Sequence, residues 1–218
     1  MALIKKILGL ELLVRDRNQL NRKLHAWYYP IVSFLLWLLF VPLSVCNSLG
    51  LFNAVHFLVR LIYPTRKLNK EEVRKLERVY GVSPWYYKVR VLECSRLAIF
   101  GTKFIRSPHL GFVFCNTIHF SRNIYTALDN DQDMAWLVHE YIHIIQYNQF
   151  GIVYIPMALR AQKNGGYSYD ELWLKSPLKS FNLEQQGDVA RAYFQALDNG
   201  KDISVYQTIV PCLKSGKV

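Results

Sequence analysis

Leu3, Ile7, Leu10 and Val14 recur at helical spacing with charges between them, which predicts an amphipathic helix over residues 1–25. From residue 26 the alternation stops. Residues 26–59 contain no Asp, Glu, Lys or Arg, and residues 31–45 (IVSFLLWLLFVPLSV) are nearly all apolar. A bilayer core takes roughly 20 apolar residues to cross. Trp27, Tyr28 and Tyr29 stand at one edge of the run, where amphipathic rings favour the headgroup level. Pro42, Asn47, Ser48, Gly50 and Asn53 interrupt it. Three arrangements fit: a spanning helix followed by an interfacial one, a hairpin whose second arm covers residues 49–63, or a helical hairpin buried in a soluble domain. Polar periodicity returns at residues 69–80 (NKEEVRKLERVY), where Asn69 can cap, acids follow and Gly81 closes, so a solvated connector helix is expected.

Between residues 85 and 120 the rhythm shortens. Runs rich in Val, Ile, Phe and Tyr at 87–92, 98–105 and 112–120, broken by Gly101, Ser107-Pro108 and Gly111, predict strands of a small, mostly antiparallel sheet. A helix follows from about Asp129-Asn130-Asp131 to Asn148, with Gly151 ending it. Trp136, Leu137, Val138, Tyr141, Ile142, Ile144 and Ile145 cover most of its circumference, so it should be largely buried. A last helix, residues 182–197 (NLEQQGDVARAYFQAL), has Asn182 as cap, Gln185 to complete a capping box and Asn199-Gly200 as its end. The expected fold class is α+β. It comprises an N-terminal helix (1–25), an apolar membrane-associated segment (26–63), a connector (64–84) and one zincin-like domain (85–218).

Charge sharpens the division. The net charge is +11, yet residues 1–106 hold 18 Lys and Arg against 6 Asp and Glu, while residues 107–218 hold 9 against 10. Basic residues bracket the apolar segment on both sides, which suits an anionic membrane surface with both flanks cytoplasmic. No nucleic-acid-binding motif accompanies them, so a nucleic-acid partner is not expected. A signal peptide fits poorly because no small-residue cleavage site follows the run. The four cysteines, Cys46, Cys94, Cys115 and Cys212, form no CxxC pair, which excludes a thiolate zinc site and favours reducing surroundings.

The chemistry lies in the buried helix, at His139-Glu140-Tyr141-Ile142-His143, an HExxH pattern. At about 100° per residue the two histidines are offset by about 40°, one turn apart, so both imidazoles can face one ion. Glu140 lies to the side, within reach of a zinc-bound water as a base. A catalytic zinc needs a third protein ligand. Gln146 and Gln149 exclude the arrangement in which Gly and a third His follow on the same helix. Glu184 on the last helix can ligate, with Asp188 one turn on to hold an imidazole through its other nitrogen. The rival to that pair is a solvated acidic face, and His119 or His109 remain alternative ligands. His25 and His56 look unrelated. Gln146, on the His139 face of an apolar helix, needs a buried partner. An oxyanion donor could be Tyr147, Tyr154, Tyr193 or His119.

Three segments carry a family resemblance: Asn116-Thr117-Ile118-His119-Phe120, the helix Leu137 to Tyr147 with HExxHxxQ, and Phe181-Asn182-Leu183-Glu184-Gln185-Gln186. Residues 80–193 resemble the bacterial zinc metallopeptidase-like domain of extracellular contractile injection system core proteins. The resemblance implies His139, His143 and Glu184 as zinc ligands, Glu140 as the base, and a secretion-system partner. The expectation is a membrane-tethered zinc peptidase acting on a peptide or protein substrate, which would add as a further strand beside residues 116–120. Its rival is a non-catalytic structural or interaction module of a secretion or injection assembly. A membrane-anchored toxin or immunity-type protein is a third reading.

Overall fold

The computed structural model describes residues 49–218 except 106–108, 125–130, 164–165 and 171–173, together with Leu38, Pro42, Val45 and Cys46. The expected helix over 1–25, and all of the apolar run before Leu49 save those four positions, lie outside the described residues. Helix α1 (Leu51–Ile62) belongs to the far end of that run and leaves Leu51, Phe57, Leu58, Leu61 and Ile62 exposed. Among the described residues, no helix is long and apolar enough to cross a membrane.

The fold is α+β: four short strands in a mixed sheet, and helices making up most of the rest. The strands are β1 (Arg66–Lys67), β2 (Arg90–Leu92), β3 (Gly111–Phe114) and β4 (Thr117–Phe120), in the order β1-β2-β4-β3. The β1/β2 and β4/β3 pairs are antiparallel, while β2 and β4 run parallel. Several expectations are corrected here. Residues 112–120 form a hairpin rather than one strand, because a two-residue turn at Cys115-Asn116 intervenes and Cys115 takes φ 52°. Positive φ is what such tight hairpin turns require. The hairpin also makes β4 an inner strand with all four residues buried, so the sheet edge beside the motif helix is β3.

Residues 98–105, expected as a strand, form helix α3 (Arg96–Ile105). The Ser95 hydroxyl accepts from the Ala98 N–H at 3.4 Å, starting a helix in an apolar segment whose pattern suits either state. This helix lies in the right position to carry the chain between parallel β2 and β4. Only the end of the run 87–92 is strand, because Pro84–Tyr87 forms a 3-10 turn with Pro84 at its start.

Helix α2 (Lys70–Tyr80) has the expected capping box: Asn69 Oδ1 accepts from the Glu72 N–H, and the Glu72 carboxylate accepts from the Asn69 N–H. The expectation that it is solvated does not hold. Leu76 and Val79 are fully buried, and Arg66 of β1 grips the buried Glu72 with two 2.9 Å bonds, tying the helix to the sheet. The motif helix α4 (Asp131–Phe150) contacts β3 and β4, and packs along α6 (Leu183–Asp198). It stops at Gly151, φ 68°, as expected. Two further helices, α5 (Tyr154–Lys163) and α7 (Val210–Ser215), close over α6 and α2 respectively.

Candidate metal centre

Helix α4 buries both motif histidines, at 5 % and 4 % exposure, and presents them toward the first turn of α6. That turn begins where Asn182 and Gln185 form their reciprocal capping box, which sets Glu184 at the second helical position. Glu184 Oε2 lies 3.6 Å from His139 Nε2 and 3.7 Å from His143 Nε2. Both distances are too long for hydrogen bonds. Ligands about 2.0–2.1 Å from a tetrahedral ion stand about 3.3–3.4 Å apart, so the spacing fits a shared cation. Among the described residues, His139, His143 and Glu184 form a buried group able to hold a metal ion.

The hydrogen bonds behind the imidazoles explain why a cation is wanted. His139 Nδ1 lies 3.0 Å from Asp188 Oδ1, and a carboxylate only accepts, so Nδ1 carries the hydrogen. His143 Nδ1 lies 2.6 Å from Gln146 Oε1. The amide is oriented by its other end, where Gln146 Nε2 donates to the Leu183 carbonyl at 3.0 Å and to Gln186 Oε1 at 2.9 Å. Gln186 in turn donates to the carbonyls of Leu178 and Phe181. In the neutral rings, both Nε2 lone pairs therefore face an acceptor oxygen of Glu184, an arrangement that calls for a positive species between them.

The acid–base balance reports the same demand. Burial pulls the His139 pKa down, but the Asp188 and Glu184 carboxylates outweigh it and raise the pKa to about 9. His143 also shifts upward, because Glu184 overcomes its desolvation. Glu184, although burial opposes it, is held well below the usual carboxylate range by the two imidazoles. Arg191 reaches Asp188 Oδ1 at 2.9 Å from the solvent side, so that oxygen serves both cation and imidazole.

Glu140 points beside this group. Trp136 Nε1 donates to Glu140 Oε1 at 3.1 Å, whereas Oε2 is buried with no hydrogen-bond partner. Burial raises the Glu140 pKa above its ordinary value, with the two histidines opposing. Trp136 is itself held edge-on by Phe120, 4.6 Å between centroids, and lies under the Arg122 guanidinium at 5.2 Å. The Trp136–Glu140 pair sits against bare backbone: a Cβ on Gly111 would fall 2.3 Å from Glu140 Oε1 and 2.8 Å from Trp136 Nε1. Gly187 plays the same part for the metal group, since a Cβ there would fall 2.5–2.8 Å from atoms of the His139 ring.

The other candidates fall elsewhere. His119 stacks on Phe112 at 4.6 Å and pairs with Ser95 Oγ at 3.0 Å, outside the metal group. His109 lies 6.2 Å from the Trp136 ring, outside the metal group. Tyr147 donates to Cys115 Sγ in the hairpin turn, and Tyr193 packs on Tyr206. Tyr154 faces His143, but its hydroxyl donates to the Val113 carbonyl at 2.7 Å. Tyr167, which sequence reasoning passed over, stands 5.8 Å from His139 between ring centroids, and its hydroxyl accepts from Gln162 Nε2 at 3.0 Å. Its proton is directed at the adjacent Glu184. Burial and the adjacent carboxylates push its pKa upward. Gly111 and Gly187 were equally invisible as site residues, because their partners come from other elements, whereas Trp136 lies one turn before Glu140 on the same helix and was read only as part of its apolar surface.

A cavity of about 250 Å³ opens onto His139, Glu140, His143 and Glu184. Lewis-acid chemistry on a bound carbonyl, with a buried carboxylate to take a proton, is within its means. No protein-family model matches the chain, and no curated protein or solved structure matches it.

Proposed function

We propose that this chain is a zinc-dependent peptidase, with His139, His143 and Glu184 as the metal ligands and Glu140 as the base. One observation carries the reading: Glu140 opens onto the same cavity as the three ligands, with one oxygen held by Trp136 and the other buried without a partner. A site built only to hold structure closes its coordination and has no use for such a carboxylate. A zinc ion held by the three ligands would polarise an amide carbonyl and acidify water at its open position. Glu140 Oε2 accepts the proton of the attacking water and passes it to the leaving nitrogen. Asp188 and Gln146 hold the two imidazoles as Nδ1–H tautomers, and Trp136 keeps Glu140 from swinging toward the ligands. The Tyr167 hydroxyl, at the cavity wall, is the donor best disposed toward a developing oxyanion.

The resemblance of residues 80–193 to the injection-system metallopeptidase-like domains supports the same ligand set and a secretion-related setting. The uncharged run of residues 26–59 and the exposed apolar side chains of α1 support a membrane tether, with the peptidase domain on the cytoplasmic side.

Metal analysis and a peptide-library digest test the reading together. Wild type should bind about one zinc and cleave peptides; Glu140→Gln should keep the zinc and lose cleavage; His143→Ala should lose both. Wild-type protein that refuses zinc overturns the metal assignment. Zinc retained with no cleavage of any library member overturns the peptidase and leaves a metal-bearing interaction module.

A further inference from the structure

The walls of the metal cavity are as informative as its floor. Leu97 comes from α3, Leu110 and Phe112 from around β3, and Ile155 and Leu159 from α5. Among the described residues that line it, the only charged or ionisable groups are the two histidines, Glu140, Glu184 and two tyrosines, and none is Lys or Arg. Leu97 and Leu159 reach the cavity while remaining 59 % and 55 % exposed, so they stand at its mouth. Large apolar side chains with no protein neighbour on their outer side lose solvent contact only when a ligand covers them. Gly101 shapes the same wall: a Cβ there would fall 2.5 Å from Leu110 Cδ2, so the glycine gives the leucine its place.

From this we infer that the site selects a bulky apolar side chain next to the bond presented to the metal, an inference that rests on the peptidase reading for the identity of that bond. The volume suits a side chain or two rather than a folded ligand, since whole small-molecule sites run to roughly 300–1,000 Å³. An acidic side chain finds no cationic partner in the lining and meets Glu140 and Glu184. A glycine leaves the leucine walls wet.

Binding of acetylated amino-acid hydroxamates to the zinc-loaded wild-type protein tests this without requiring turnover. The leucine hydroxamate should bind at least about tenfold more tightly than the glycine or aspartate hydroxamate. In Leu159→Arg, an exposed position whose change is checked by an unaltered melting temperature, the leucine probe should weaken and the aspartate probe strengthen. Equal affinities in wild type, or a preference untouched by Leu159→Arg, overturn the apolar pocket while leaving the peptidase standing. A strong leucine preference with no cleavage of leucine-containing peptides keeps the pocket and overturns the peptidase. No binding of any of the three probes overturns both.

Discussion

Where α4 and α6 meet at His139, the imidazole rests on the bare backbone of Gly187. Gly187→Ala therefore forces the ring aside or the helices apart. A destabilisation of about 1–3 kcal/mol is expected, as for overpacked cores, together with weaker zinc binding, both read from denaturant titrations with and without zinc. Asp188→Asn is a gentler probe of the same ring: removing the charge behind Nδ1 should weaken zinc binding by roughly 10- to 100-fold, measured by chelator competition. The pH dependence follows from the raised His139 pKa. Metal needs the neutral ring, so the apparent zinc affinity should rise with pH and level off above about pH 9. Metal-free protein should behave oppositely: the stability contributed by charged His139 is fully present below about pH 6.5, the unfolded value, and is lost as pH rises through about 9. A zinc affinity unchanged between pH 6 and 8 would contradict the Asp188 and Glu184 contacts as the cause of the shift.

Among the elements, α6 shows how local signals and distant contacts share one helix. Its beginning is written in Asn182 and Gln185, whose side chains and backbones satisfy each other, so both the helix and its Glu184 were legible before any tertiary contact was known. Asn182→Ala should cost about 1 kcal/mol and, because Glu184 stands in that first turn, should loosen zinc more than a remote cap loss would. The comparison is with Asn69→Ala, the equivalent cap of α2, which has no ligand downstream; equal effects on zinc affinity would detach the cap from the site. Helix α4 was legible through a long apolar run that follows acidic residues and ends at a glycine. Helix α3 was not, because RLAIFGTKFI is a short apolar run rich in residues that suit strand or helix alike, and the Ser95 bond that starts it is a single contact. The edge strand was misassigned because a turn hinging on one positive φ at Cys115 looks, in sequence, like continuous strand. Gly111 and Tyr167 became site residues only through β3 and the segment after α5 converging on α4, which no short window of sequence encodes.

For the molecule as a whole, the metal group joins two helices that otherwise meet through apolar contacts, the His139–Asp188 bond and the Gln146 amide. Zinc at 100 times its Kd should stabilise the fold by about 2.7 kcal/mol, raising the melting temperature of a chain this size by roughly 5–10 °C; calorimetry with zinc and then with excess chelator checks it. Absence of a shift would mean that zinc binds the folded and unfolded chains alike, contrary to a site assembled by folding. Gln146 bears on when that assembly happens. Its amide orients His143 with one end and grips Leu183, the residue before Glu184, with the other. Until α6 docks, the motif helix therefore offers two histidines and an amide with nothing to orient it, and lacks the carboxylate that completes the set. During synthesis Glu184 is added 41 residues after His143, a delay of about 2–8 s at typical elongation rates. For those seconds the ribosome carries a chain with two of the three ligands, and a metal ion would find the complete set only as the last third of the protein arrives.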